Sequence, residues 1–230
     1  MTSTKTDTEK TMIQVIDDNN DTVTIRKPIF QLLPTGPAEY DVAGEVVFAG
    51  YGLKQDKYGY NDFKDLKADG KILLIMAGAP TSEDGKKYIF ETVNWDSFMS
   101  IEVKLTALLF TRAKAVIIVM DPKSGLRSVD EKYPGISGQL ATTMSLRGEK
   151  PRSFQMPGLP KGLFADRSVA DEILKGTGNT LETLQKAIDS SLSPNSFIVT
   201  GKQVRIREAV KTEDITLNNV AAIIEGSDPV

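Results

Sequence analysis

Ser100 and Lys104 stand one helical turn apart. At that spacing a lysine amine can take the proton of a serine hydroxyl and let the oxygen attack an acyl carbon. The neighbouring residues do not form the S-x-x-K motif of known Ser-Lys enzymes. A serine near a helix start is also better explained as a cap. Two missing residue types narrow the chemistry further, because the 230 residues include no histidine and no cysteine. That excludes a Ser-His-Asp triad, zincin-type ligation, thiolate nucleophiles, cysteine zinc sites and disulfides. Hydrolysis by this chain alone would have to use carboxylates, lysine or tyrosine.

Other motifs fail on spacing. Gly50, Tyr51 and Gly52 follow a strand, but Gln55 stands where a dinucleotide fingerprint needs its third glycine. Residues 78–87 have a P-loop flavour with the wrong spacing and no Ser or Thr after the lysine. Asp17, Asn19 and Asp21 have calcium-loop spacing, yet Thr22 and Pro28 occupy the positions that need Gly and Glu. Ser137 sits in a broken nucleophile elbow, with Gln139 in place of its last glycine. All four read as turns or solvated loops.

Two groups bear on partners. Arg147, Lys150, Arg152, Lys161 and Arg167 cluster late in a long loop and read as a solvated basic stretch able to steer an acidic partner. The aromatics Tyr51, Tyr58, Tyr60, Phe63 and Trp95 fall in loops or at element ends. Tyr51, Tyr58, Tyr60 and Trp95 are the candidate contacts of an exposed recognition patch.

The elements that must position these residues follow from patterning. Residues 1–10 read as a disordered leader, too polar for a signal peptide. Residues 12–16 and 22–26 form a hairpin within an N-terminal or connecting segment, 11–41. Residues 45–49, 71–76 and 115–120 are strands, the last two buried on both faces. Residues 96–113 are the strongest helix, so 71–120 is a βαβ unit with parallel strands. Residues 123–160 are a long loop. Beyond it come a short strand at 162–165, helices at 168–175 and 180–190, and strands at 197–200, 202–209 and 220–224. The fold class is α/β, mixed and β-rich: a β sandwich or barrel with a βαβ unit and flanking helices.

Composition agrees with a globular chain. Hydrophobic residues make up 40% and charged residues 26%, and the net charge is −3. Neither nucleic acid nor an anionic membrane is implied as a partner, and no apolar run is long enough for a membrane span.

Four segments together resemble the protease-associated domain of zinc aminopeptidases, in the group that includes glutamate carboxypeptidase and the transferrin receptor. They are residues 44–52 (GEVVFAGYG), 60–76 (YNDF through GKILLIM), 100–122 (the helix into AVIIVMDP) and 218–229 (NNVAAIIEGSDP). Lys114-Ala115 stands where Gly-Ala is usual, and residues 123–157 match poorly. The resemblance implies a swivelling β/β/α-type domain over residues 42–230. It further implies a non-catalytic lid or protein/peptide interaction module beside a peptidase cleft. The expected partners are the peptidase domain of the same parent protein and peptide or protein substrate. Zinc is implied only for that peptidase domain, with no cofactor in this chain, and the parent is expected to be extracytoplasmic. A free-standing binding module and a small Ser-Lys hydrolase are the alternatives.

Overall fold

The computed structural model describes residues 1–26, 30–32, 38–97, 100–149 and 158–216. The fold is mixed α/β and strand-rich. Among the described residues the strands in chain order are β1 Thr2–Thr6, β2 Met12–Asp17, β3 Thr22–Arg26, β4 Phe30–Leu32, β5 Tyr40–Phe48, β6 Lys54–Gln55, β7 Tyr60–Asn61, β8 Ile72–Met76, β9 Ala115–Val119, β10 Thr142–Ser145, β11 Lys161–Ala165, β12 Phe197–Glu208 and β13 Val210–Asp214. The α-helices among the described residues are α1 Ile101–Leu108, α2 Val129–Lys132, α3 Ile136–Leu140, α4 Arg167–Leu174 and α5 Leu181–Ser191.

The main sheet has the order β3-β2-β12-β5-β8-β9-β11-β4. Its centre is parallel, with β5 beside β8, β8 beside β9 and β9 beside β11. The β8-α1-β9 crossover is the expected βαβ unit. Central strands need apolar residues on both faces, and every residue of β8 and β9 is buried. On one face Phe48, Leu74 and Ile117 pack against Ile173 of α4 and Ile188 of α5. On the other, Leu73, Ile75 and Val116 pack against Ile101 and Leu108 of α1.

Several elements differ from the sequence expectation. Residues 1–10 carry β1, paired antiparallel with both β10 and β13, where a disordered leader was expected. Its Thr side chains suit a strand, and Ser3, Thr4 and Thr6 are buried between partners distant in sequence. The long loop contains α2, α3 and β10. The strands expected at 197–200 and 202–209 are one bulged strand, β12, whose register against β5 shifts between Val199 and Gln203. Helix α4 is capped by Asp166, whose side chain accepts from the Ser168 N–H. Helix α1 is much shorter than residues 96–113. Thr111 Oγ1 closes its end by donating to the Leu108 carbonyl, and Arg112 turns left-handed at φ 53°. The expected strand at 220–224 and the matching segment 218–229 lie outside the described residues.

Candidate functional site

Open parallel sheets usually gather ligands beyond the carboxyl ends of their strands. Here the segments leaving β5, β8 and β9 place Tyr51, Gly78, Asp121 and Lys123 at that end. The space between them is occupied by side chains of this chain.

Asp62 is fully buried. Its Oδ2 accepts the N–H groups of Tyr51 (3.1 Å) and Leu53 (3.0 Å), and its Oδ1 accepts the Tyr60 hydroxyl (2.7 Å). Burial pushes its carboxyl up to about 7, while these hydrogen bonds and the Lys104 charge pull the other way. Lys104 is buried as completely. Its Nζ donates to the carbonyls of Tyr51 and Gly78, and lies 5.8 Å and 5.9 Å from the ring centres of Tyr51 and Trp95. Burial pushes the amine down to about 7, opposed by the charges of Asp62 and Asp121.

A second set ties the loops to α5. Asp189 accepts from the Tyr51 hydroxyl (2.8 Å), Thr81 Oγ1 (3.1 Å) and Lys123 Nζ (2.8 Å). Gln185 Nε2 donates to the Tyr51 hydroxyl and to Asp121 Oδ1, each at 2.9 Å. Desolvation raises the Tyr51 hydroxyl well above its ordinary value, so it stays protonated.

Ser100 and Lys104 are not assembled as nucleophile and base. Ser100 Oγ donates to the Trp95 carbonyl at 3.4 Å, while Lys104 Nζ faces the Tyr51 and Gly78 carbonyls. The cavity beside Ser100, against Gly78 and Trp95, holds about 20 Å³. That admits a water molecule and no acyl substrate. Among the described residues, no three Asp or Glu side chains converge into a group that could hold a metal ion. Asp17 Oδ1 accepts from the N–H groups of Asn19 and Asp21, the local bonding of a hairpin turn.

The expected aromatic patch is corrected. Tyr51, Tyr60 and Trp95 are core residues, and Tyr58 alone of the four is exposed, at 36%. The loops fold back over the sheet because each ring buries a large apolar area once its polar tip is satisfied. Trp95 Nε1 donates to the Phe90 carbonyl, and the Tyr58 ring lies 4.8 Å from that of Phe90. Of the basic stretch, Arg147, Lys161 and Arg167 are among the described residues. Arg147 binds Asp214, Lys161 lies over the Tyr40 ring, and Lys150 and Arg152 lie outside the described residues.

One open feature went unrecognised in the sequence. A groove of about 980 Å³ runs between α1 and the loop from Asn61 to Asp69. Phe110, 86% exposed, stands at its mouth. The signal was present: Val103, Ala107 and Phe110 repeat at i, i+4 and i+7 on the side of the helix away from Ile101 and Leu108.

No helix among the described residues is long and apolar enough to cross a membrane. No family model matches the chain, and no curated protein matches it. Among solved structures, an aminopeptidase from Aneurinibacillus sp. strain AM-1 is similar at 13% identity and a TM-score of 0.38. The match covers 92% of this chain and 34% of that one, so the chain spans about a third of the length of the protein it matches.

Proposed function

We propose that this chain is a non-catalytic domain of the protease-associated type, a lid or protein/peptide interaction module beside a zinc peptidase domain. The observation that carries the reading is how its most reactive buried groups are used. Lys104 holds two backbone carbonyls and Asp62 holds two backbone N–H groups and a tyrosine, so both are committed to closing loops over the sheet. The four sequence segments that resemble protease-associated domains add to it. On this reading zinc and peptide hydrolysis belong to the peptidase domain, and this chain shapes access to it.

The test is turnover by the purified chain, with zinc added, on a panel of aminoacyl and peptide reporter substrates. The expected result is no hydrolysis above a heat-inactivated control. Hydrolysis that survives repurification and disappears in Ser100→Ala would make the chain an enzyme and end the proposal. A second reading, a binding module independent of any peptidase, is favoured by the exposed Phe110 groove. Deleting this segment from a parent peptidase separates the two: a lid changes KM or substrate preference, and an independent module leaves both unchanged.

A further inference from the structure

Helix α1 is apolar on two opposite sides. Ile101 and Leu108 face the sheet. Val103, which also packs partly against the core, and Ala107 continue to Phe110 on the other side, where all three line the groove. The facing wall is built from Phe63 and Leu66, both partly exposed. A helix with apolar residues on both sides ordinarily has cover on both. An isolated phenylalanine as exposed as Phe110 is unremarkable by itself, but here it continues an apolar groove large enough for several side chains.

The charges around the groove are uneven. Lys54, Lys67 and Arg112 line it, against Asp69 in the lining and Asp56 beside Lys54. Asp69 faces Arg112 at 3.8 Å and Asp56 faces Lys54 at 3.7 Å. These are solvent-exposed pairs of small net worth, which an incoming carboxylate can replace. The excess of cations occurs on a chain whose net charge is −3.

We infer that this groove docks a partner's acidic peptide segment, with one or two large apolar side chains seated between α1 and the Asn61–Asp69 loop and flanking carboxylates on Lys54, Lys67 and Arg112. The inference rests on the interaction-module reading and names the surface and the chemistry of its partner. Apolar anchors supply the affinity, and the cationic rim selects the charge of the flanks and speeds encounter.

The probe is a fluorescein-labelled peptide with Phe and Leu set among Asp and Glu, followed by fluorescence anisotropy. Its control carries Lys and Arg at the acidic positions. The acidic peptide is expected to bind, the control to fail, and added salt to weaken binding. Phe110→Ser and Lys67→Glu should each weaken binding about tenfold. Both positions are exposed, and unchanged thermal melts establish that the variants fold. Absent binding, equal binding of the control, or indifference to both substitutions would each overturn the inference. So would self-association relieved by Phe110→Ser, which makes a second copy the occupant. Binding to anionic lipid vesicles in preference to the peptide would also overturn it. Turnover distinguishes the two proposals: a peptide that docks and is cleaved sinks the accessory-domain reading alone. A peptide neither docked nor cleaved sinks the groove alone.

Discussion

The carboxylate of Asp62 fills the space that a side chain on residue 50 would need. Gly50 adopts φ +51°, and a Cβ there would overlap Asp62 Oδ1 and stand 2.9 Å from its Cγ. The glycine therefore serves twice, through the left-handed turn and through the close approach of the carboxylate to the Tyr51 and Leu53 N–H groups. Gly50→Ala should cost about 3 kcal/mol, from the strained backbone and the displaced carboxylate together. Urea unfolding measures it, and a loss below about 1 kcal/mol would mean the loop relaxes without cost.

Two separately buried groups, Asp62 and Lys104, give the fold a pH signature. Asp62 is raised from 3.8 to about 7, so across that window the folded chain keeps a proton that the unfolded chain has released. Stability from this group is present below its unfolded value and is lost as pH rises towards about 7. Lys104 is lowered from 10.5 to about 7, so between these values the unfolded chain binds the extra proton. Stability from this group is present at high pH and is lost as pH falls towards about 7. These two groups together should put a stability minimum near neutrality. Urea midpoints at mildly acidic, neutral and mildly alkaline pH test this. Asp62→Asn should flatten the acid limb and extend the alkaline limb to lower pH, because the Asp62 charge no longer holds the Lys104 amine up.

The Tyr51 hydroxyl and ring can be separated by substitution. Tyr51→Phe removes the donor to Asp189 and the acceptor for Gln185, while Lys123 and Thr81 still hold Asp189. Its expected cost is about 1–2 kcal/mol. Tyr51→Ala also empties a fully buried site and should cost about 3–5 kcal/mol. Thermal melts of both variants check this. A Tyr51→Ala protein as stable as the parent would return Tyr51 to the surface role first expected of it.

What the sequence revealed and concealed follows from where each signal resides. Strands β8 and β9 were legible because continuous apolar runs between turn residues need no distant partner to be recognised. Helix α5 was legible because Asn179 to Glu182 has the pattern of a capping box, and the structure forms the box one residue later, between Thr180 and Thr183. Strand β1 was concealed: its polar residues form a strand only between β10 and β13, which lie far along the chain. The ends of α1 were concealed for a related reason. The segment before it turns through Ser97 N–H to the Asn94 carbonyl and Ser100 N–H to the Ser97 carbonyl. Tyr51 and Trp95 lie in loops as expected, while Tyr58 ends a short 3-10 turn and Tyr60 opens β7, and residue type gives the area available for burial but not the direction a segment folds. Asp62 was visible only inside a segment resembling protease-associated domains, since one aspartate in a loop shows nothing of the three donors around it.

Lys104 and Ser100 differ in what their loss should do to the fold. Ser100 contributes a single 3.4 Å bond to the Trp95 carbonyl, so Ser100→Ala should cost less than about 1 kcal/mol. Lys104→Met keeps the volume but leaves the Tyr51 and Gly78 carbonyls without their donor and Asp62 without its neighbouring cation. Leaving a buried carbonyl without its donor costs about 1–3 kcal/mol, and Lys104→Met does this to two of them. The loss should be smaller at acid pH, where Asp62 is protonated and has no charge to compensate. Catalytic residues commonly behave the other way, because sites held in destabilising arrangements for chemistry gain stability when their reactive groups are removed. Urea unfolding of Lys104→Met across pH therefore bears directly on the role of this lysine. A strong loss that lessens in acid identifies a structural clamp, whereas a gain in stability would point to an amine held in place for reaction.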